Sequence, residues 1–273
     1  MIYQKFLTET LKEASKIANQ MFGKVSTKIK KDLSMLTEAD LEIGKFIISR
    51  IRSEYSAYNI IDEEAGVIDK KSEYTWTVDP IDGTSNFGAG IPLYGIMIGL
   101  LKGKIPMAGG FALPFFKEFY FAEKGQGAFC NDKKIVLTDR SDFMAISIAY
   151  GVDKFGGDKD FTRRQASYLA DLALMFQAVK NSGSVYDTAE LLKNGYGAAL
   201  YQTGKIWDNV PQHVLVQEAG GIYTDFYGKP MDYSNPLMKT EQNYTYCAAA
   251  PAVHKKLQEI IHSVDSGFPL SRE

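Results

Sequence analysis

The stretch Asp79-Pro80-Ile81-Asp82-Gly83-Thr84-Ser85-Asn86-Phe87 directly follows a β-prone run, Tyr74-Thr75-Trp76-Thr77-Val78. Its two carboxylates, Asp79 and Asp82, lie three residues apart, and the proline between them restricts the backbone. Hard divalent cations prefer carboxylate and carbonyl oxygens, and the Ile81 carbonyl can add a third oxygen if the turn directs it inward. The stretch therefore predicts a strand that ends in a candidate metal site.

Gly83 and Thr84, which come next, are expected to begin a helix. The free N–H groups at a helix start favour a bound phosphate. Metal ligands and an anion site within six residues suggest metal-assisted attack on a phosphate ester. The alternative is a surface turn, because Asp-Pro and Asp-Gly are common turn signals, and the stretch alone fits that alternative better.

Composition limits the possible partners. The chain has 273 residues and a formal net charge of −2, which predicts one large domain or two intimate lobes and no nucleic-acid polymer or anionic membrane as partner. Two cysteines, Cys130 and Cys247, form neither a disulfide framework nor a zinc ligand set, so a reduced cytoplasmic setting is expected. The longest apolar run, residues 91–101, is too short to span a bilayer. No signal peptide is apparent, since charged residues interrupt the first helix.

Further acidic residues stand at the ends of predicted elements. Thr37 is a plausible N-cap with Asp40 at the capping-box spacing, and a catalytic role for Asp40 stays open. The run Asp62-Glu63-Glu64 follows a short strand and is either an exposed acidic turn or part of the ligand set of Asp79 and Asp82. Asp208, at a helix start, is an N-cap by the simpler interpretation.

The order of elements predicts two lobes. Two helices and an antiparallel meander predict an α+β lobe over residues 1–140, and alternating strands and helices predict an α/β lobe over residues 141–273. In the second lobe, Gly183-Ser184 is expected to begin a helix, and Pro211 is expected in the first turn of another. The basic segment, residues 24–31, is a solvated hairpin or loop, or alternatively a site that attracts phosphate.

Taken together, the motifs resemble those of the inositol monophosphatase family. This family belongs to the lithium-sensitive, metal-dependent phosphatase superfamily that also holds fructose-1,6-bisphosphatases and 3′-phosphoadenosine nucleotide phosphatases. The matching motifs span nearly the whole chain in the family's order and spacing: Thr37-Glu38-Ala39-Asp40, Glu63-Glu64, the nonamer from Asp79 to Phe87, Gly125-Gln126-Gly127-Ala128-Phe129, Gly183-Ser184, Trp207-Asp208 and Glu218-Ala219-Gly220-Gly221.

The resemblance implies a layered αβαβα sandwich, hydrolysis of phosphate monoesters with two or three Mg²⁺ ions, lithium inhibition and a homodimer. The metal ligands that it implies are Glu63, Asp79, the Ile81 carbonyl, Asp82 and Asp208, with Asp79 bridging two ions and a weaker third ion near Glu63. The implied catalytic residues are Thr84, which would hydrogen-bond the attacking water, Asp40, which would accept from Thr84, and Glu63. The implied substrate contacts are Asp82, Gly83, Thr84, Gly183, Ser184, Gln202 and Asp208.

The substrate expected from this resemblance is inositol 1-phosphate or a related polyol or sugar phosphate. Two departures weaken the inositol assignment: Gln202 stands where inositol-specific members usually carry a Glu, and Val185 stands where small residues are common. Histidinol phosphate, fructose 1,6-bisphosphate and 3′-phosphoadenosine 5′-phosphate are the alternatives. A rival of another class is a non-catalytic regulatory protein on the same fold.

Overall fold

The computed structural model describes residues 1–29, 35–152 and 158–267. Its α-helices are α1 (Gln4–Met21), α2 (Glu38–Glu54), α3 (Thr84–Gly88), α4 (Lys159–Met175), α5 (Tyr186–Leu192), α6 (Ile206–Glu218) and α7 (Pro251–Gly267). Its strands are β1 (Thr27–Ile29), β2 (Met35–Thr37), β3 (Asn59–Asp62), β4 (Gly66–Ile68), β5 (Tyr74–Asp82), β6 (Gly95–Lys102), β7 (Ile105–Leu113), β8 (Glu118–Glu123), β9 (Ala128–Cys130), β10 (Lys133–Ile135), β11 (Ser147–Tyr150), β12 (Ala178–Lys180), β13 (Ala198–Tyr201), β14 (Ile222–Thr224) and β15 (Tyr246–Ala249). In this part of the chain, no helix combines the length and apolar character needed to cross a membrane.

The larger sheet has eight strands in the order β10-β9-β8-β7-β6-β5-β3-β4. Only the β3–β5 pair is parallel among these described strands, and the predicted antiparallel meander corresponds to β6 through β10. Neighbouring glycines in β7 show that both faces are covered. A Cβ on Gly110 would lie 3.0 Å from Leu11 of α1, whereas one on Gly109 would lie 2.7 Å from Pro211 of α6.

The smaller sheet has five strands in the order β12-β11-β13-β15-β14, with β11 parallel to both of its neighbours. Helices α5 and α6 pack between the two sheets, and α4 and α7 pack together on the outer side. The layers therefore run α1 and α2, large sheet, α5 and α6, small sheet, α4 and α7, which confirms the expected αβαβα sandwich.

Helix α2 begins as the sequence predicts. Thr37 is its N-cap, and the Asp40 carboxylate accepts the Thr37 N–H at 2.7 Å and the Thr37 hydroxyl at 2.6 Å. The preceding strands β1 and β2 form an antiparallel pair, as the hairpin alternative for the basic segment predicts. Lys30 and Lys31 of that segment lie outside the described residues.

Two helices in the second half of the chain begin a residue or two away from their predicted starts. Helix α5 begins at Tyr186, two residues after Ser184, whose hydroxyl accepts the Tyr186 N–H at 3.3 Å; the Asp187 carboxylate accepts the Ser182 N–H at 2.9 Å. Pro211 lies in the second turn of α6, since that helix begins earlier than expected, at Ile206. Gly99 and Gly109 leave the room that this proline needs against the large sheet.

Candidate active site

The end of β5 is irregular at the point where the two aspartates stand. Asp79 pairs with Met97 and Asp82 pairs with Gly95, so β5 carries one residue more than β6 over this interval. Such a bulge changes the direction of the side chains beyond it. In a regular strand, residues three apart face opposite sides of the sheet. The bulge therefore allows Asp79 and Asp82 to share one side.

A third carboxylate comes from the start of α6. Asp208 lies in the first turn of that helix, and its Oδ2 atom accepts the Lys205 N–H at 2.7 Å. It is therefore inside the helix and not its N-cap. One carboxylate oxygen from each of Asp79, Asp82 and Asp208 lies within 4.8 Å of the others. The structure thus brings together residues that are far apart in the sequence.

Negative charge dominates this cluster, and the charge of Lys205 lowers the pKa of Asp208 by less than burial raises it. Burial raises the pKa of Asp79 well above its ordinary value, and the charges of Glu63, Asp82 and Asp208 add to that effect. Burial also raises the pKa of Asp82 and of Asp208 to about 7. The Oδ1 atom of Asp79 is buried without a hydrogen-bond partner. A site of hard oxygen ligands with an unsatisfied buried oxygen fits a divalent cation such as Mg²⁺.

Glu63 adjoins this cluster. Its N–H donates to the Val78 carbonyl at 3.1 Å, which continues the parallel β3–β5 pairing up to the residue before Asp79. The negative charge of Glu63 contributes to the raised pKa of both Asp79 and Asp82, as expected for a neighbour. Glu63 therefore lies near the cluster, although it is not among the three described residues whose carboxylate oxygens lie within 4.8 Å of one another.

Thr84 and Asp40 meet beside the aspartates. The Thr84 hydroxyl lies 2.9 Å from the Ile81 carbonyl and 3.3 Å from Asp40 Oδ1, and it can donate to either. Asp40 is 1% exposed and also caps α2 through Thr37. Capping and contact with Thr84 are therefore compatible in one side chain.

Gly83 connects this region to the second half of the chain. It precedes α3 with φ of +83°, a left-handed conformation that is unfavourable for residues other than glycine. A Cβ at this position would lie 2.8 Å from the Ser184 Cβ and 3.1 Å from the Leu93 carbonyl. The predicted contacts Gly83 and Ser184 are thus immediate neighbours. The N–H of Val185 also donates to the Asp82 carboxylate.

A cavity of about 210 Å³ opens beside the carboxylates. It is lined by Asp82, Gly183, Ser184, Val185, Tyr201, Thr203, Gly204, Asp208, Gln212 and Tyr246. Four of these residues, Asp82, Gly183, Ser184 and Asp208, were predicted as substrate contacts. Gln212 was not predicted, although its position one helical turn after Asp208 was a usable signal. Tyr246 gave no local signal.

Gln202 does not line this cavity, contrary to the predicted substrate contact. It is 1% exposed, its Nε2 atom donates to the Tyr150 hydroxyl at 2.8 Å, and its carbonyl accepts from Asn243. Side chains of an extended segment alternate in direction, so its two neighbours Tyr201 and Thr203 face the cavity instead.

The loop before α5 is held by side chains from both halves of the chain. Asn86 of α3 donates to the Ser182 carbonyl at 2.8 Å and to the Leu93 carbonyl at 2.7 Å. Tyr201 donates to Asn181 at 2.6 Å or to Asp187 at 2.5 Å. The cavity wall is therefore fixed by uncharged hydrogen-bond donors.

Comparisons with known proteins agree with this geometry. A family model described as "Inositol monophosphatase family" matches residues 3–265. "Inositol-1-monophosphatase ImpA" of Mycolicibacterium smegmatis is 34% identical over 83% of this chain and 80% of its own. "Fructose-1,6-bisphosphatase/inositol-1-monophosphatase" of Aquifex aeolicus is 28% identical over 80% and 83%. "Nus factor SuhB" of Xylella fastidiosa is 29% identical over 88% and 85%.

Solved structures share the fold. The IMPase of Thermotoga maritima superimposes with a TM-score of 0.84 at 23% identity, over 98% of this chain and 99% of that one. An "IMPase/NADP phosphatase complexed with Mg2+ and phosphate" superimposes with a TM-score of 0.79 at 21% identity, over 94% of each chain. From the family model and these relatives, this chain belongs to the inositol monophosphatase family.

Proposed function

We propose that this protein is a Mg²⁺-dependent phosphatase that hydrolyses a small phosphate monoester, with inositol 1-phosphate or a related polyol or sugar phosphate as the best candidate. The observation that carries the proposal is the convergence of Asp79, Asp82 and Asp208 beside a cavity of about 210 Å³. The names of the relatives in the family support the same reaction class.

The metal ligands in this proposal are Glu63, Asp79, the Ile81 carbonyl, Asp82 and Asp208, for two or three Mg²⁺ ions. When bound, Mg²⁺ supplies Lewis acidity and balances the negative charge of the reacting phosphate. The partnerless Oδ1 atom of Asp79 supports its role as a ligand. Inhibition by lithium is part of the same proposal.

The chain's own residues orient the attacking water and the phosphate. We assign Thr84 to hydrogen-bond that water, with Asp40 accepting from the threonine hydroxyl, because the two side chains lie 3.3 Å apart. The main-chain N–H groups of Gly83 and Thr84, at the start of α3, are suited to phosphate oxygens. Gly183 and Ser184, which line the cavity next to Gly83, complete the proposed substrate contacts.

The charge of the cavity favours a neutral leaving group. None of its ten lining residues is basic, and Asp82 and Asp208 are acidic. A second phosphate on the substrate would find no counter-charge there, so fructose 1,6-bisphosphate and 3′-phosphoadenosine 5′-phosphate rank below a monophosphate. Fructose 1,6-bisphosphate remains the second candidate because the Aquifex relative is named for both activities. Histidinol phosphate carries a single phosphate and stays an alternative.

The rival function is regulatory, and the name of the Xylella relative, a Nus factor, supports this alternative. A non-catalytic protein has no need of the carboxylates, yet this chain retains Asp40, Glu63, Asp79, Asp82 and Asp208.

We also propose that the protein forms a homodimer and that each chain has two lobes, residues 1–140 and 141–273. A reduced cytoplasmic setting is part of the same proposal and suits the free Cys130 and Cys247.

The decisive test is phosphate release from inositol 1-phosphate, with and without Mg²⁺, for the wild type and Asp79→Asn. We expect Mg²⁺-dependent turnover that the substitution lowers by at least about 10²–10³-fold, because a buried ligand is lost. Asp69→Asn, at an exposed carboxylate in the β4–β5 connection, is the control and should keep full activity. The other three phosphate esters, assayed in parallel, rank the substrates. Absence of turnover on all four at saturating Mg²⁺ would refute the enzymatic proposal in favour of the regulatory one.

A further inference from the structure

Asp62, the residue before Glu63, is a buried acid that the proposed reaction does not use. It is 1% exposed, and it is the last residue of β3. Its Oδ1 atom accepts two main-chain N–H groups, that of Glu64 at 2.9 Å and that of Ala65 at 2.7 Å. Its Oδ2 atom is buried without a hydrogen-bond partner. Burying a carboxylate in this way is costly, so the arrangement calls for an explanation.

The two accepted N–H groups belong to the hairpin loop that carries Glu63. Asp62 pairs with Gly66 in the antiparallel β3–β4 ladder, so the loop consists of Glu63, Glu64 and Ala65. Gly66 has φ of +77°, which suits the end of such a short loop. The Asp62 carboxylate thus stabilises the loop through hydrogen bonds to the two residues that follow Glu63.

The other side of the loop is fixed by the neighbouring strand. The Glu63 N–H donates to the Val78 carbonyl at 3.1 Å, directly before Asp79. Glu63 is therefore held on its amino side by β5 and on its carboxyl side by Asp62. Both restraints act on the main chain, and together they fix the position of the Glu63 Cα atom, from which the side chain extends.

Helix α2 leaves space for the Asp62 carboxylate. A Cβ on Gly44 would lie 3.1 Å from Asp62 Oδ2 and 3.2 Å from Pro80 Cγ. Glycine in a helix interior destabilises the helix relative to alanine. Gly44 and Asp62 are matched: the missing side chain in the helix makes room for the buried acid in the sheet.

From this geometry we infer that Asp62 is a positioning residue, which holds the Glu63 loop in the conformation that presents Glu63 to the metal. The inference rests on the proposed metal site. Groups that orient a metal ligand typically contribute about 10–100-fold in metal affinity or activity. Asp62 would do so through two hydrogen bonds to the backbone, without contacting the ion or the substrate.

The test is calorimetric titration of the purified protein with Mg²⁺, without substrate, for the wild type, Asp62→Ala, Asp62→Asn and Asp69→Ala. We expect Asp62→Ala to weaken Mg²⁺ binding about tenfold or more. Asp62→Asn keeps the accepting oxygen and should restore binding to near the wild-type value. Asp69→Ala is the matched control, because Asp69 also accepts a main-chain N–H, that of Lys71 at 2.7 Å, but in the exposed β4–β5 connection.

Gly44→Ala provides a second variant in case Asp62→Ala does not fold. Its added methyl group would press on the Asp62 carboxylate at 3.1 Å and shift it by a few tenths of an ångström while it favours the helix, so Mg²⁺ binding should weaken without loss of helical structure. Unchanged Mg²⁺ affinity in Asp62→Ala, or in Gly44→Ala where the first variant does not fold, would overturn the inference. So would equal weakening in Asp62→Ala and Asp69→Ala, or failure of Asp62→Asn to restore binding.

Phosphate-release assays separate this inference from the proposed function. In an active enzyme, Asp62→Ala should raise the half-activating Mg²⁺ concentration by the same factor as the calorimetric constant, with kcat at saturating Mg²⁺ close to the wild-type value. If the wild type binds Mg²⁺ but hydrolyses nothing, the proposed function fails while the titrations still decide the role of Asp62. If the wild type binds no Mg²⁺, both proposals fail.

Discussion

The carboxylate cluster and the cavity wall lie side by side but are stabilised in different ways. In the cluster, Asp79, Asp82 and Asp208 repel one another, and burial raises the pKa of each. In the wall, most of the hydrogen-bonding groups are neutral, and Asp187 is the acid among them: Gln212 accepts from the Thr188 hydroxyl and donates to the Asp208 carbonyl at 2.8 Å, and the Asp187 carboxylate accepts the Ser182 N–H at 2.9 Å. The cluster therefore concentrates buried negative charge, whereas the wall is held by hydrogen bonds between its own residues.

The largest effect is expected from a change that stops the chemistry and leaves the cluster intact. Thr84→Val removes the hydroxyl that contacts Asp40 and the Ile81 carbonyl, so we expect kcat to fall about 10²–10³-fold. Thr84→Ser keeps the hydroxyl and should retain most of the activity. Both variants should gain as much thermal stability from Mg²⁺ as the wild type. Loss of that gain in Thr84→Val would place Thr84 in the metal site instead.

The second prediction is the pH dependence of thermal stability, which we expect the carboxylate cluster to determine. Because the folded-state pKa values are raised, the folded protein binds more protons than the unfolded chain between about pH 4 and about pH 7. The metal-free protein should therefore lose stability as pH rises, with a lower Tm at pH 7.5 than at pH 5.5. Protons compete with metal for carboxylates, so the gain in Tm from Mg²⁺ should be larger at pH 7.5.

Calorimetric melting at the two pH values, with Mg²⁺ and with a chelator, checks this prediction. Asp79→Asn removes one of the repelling charges and should reduce the difference between the two metal-free Tm values. A metal-free Tm that rises from pH 5.5 to pH 7.5 would contradict the description of the cluster as unbalanced negative charge.

The smallest effect on turnover is expected in the wall. Tyr201→Phe removes a hydroxyl that donates to Asn181 or Asp187, which leaves buried acceptors without that donor. We expect a loss of about 1–3 kcal/mol in the free energy of unfolding and a change of only a few-fold in kcat. Denaturant unfolding and steady-state kinetics measure the two quantities. A fall in kcat as large as that of Thr84→Val would show that the wall also takes part in the chemistry.

The same contrast explains which features the sequence could predict. Asp40 and Asp82 stand in local motifs whose spacing carries the chemistry, and the capping box at Thr37 is confirmed because both of its partners are three residues apart. The direction of Gln202 depends on side-chain alternation just after β13, the central strand of the small sheet, and Tyr246 reaches the cavity only through the packing of β15. Those contacts arise between distant segments, and no local spacing records them.

The close approach of Pro211 to Gly99 and Gly109 has a consequence for the order in which the protein is made. Asp79 and Asp82 leave the ribosome well over a hundred residues before Asp208. Asp79 and Asp82 are therefore already synthesised when α6, which carries Asp208, packs against the two glycines of the large sheet. The carboxylate cluster is therefore completed only after most of the chain has been made, and a bulky side chain at either glycine would hinder the packing of α6 that completes it.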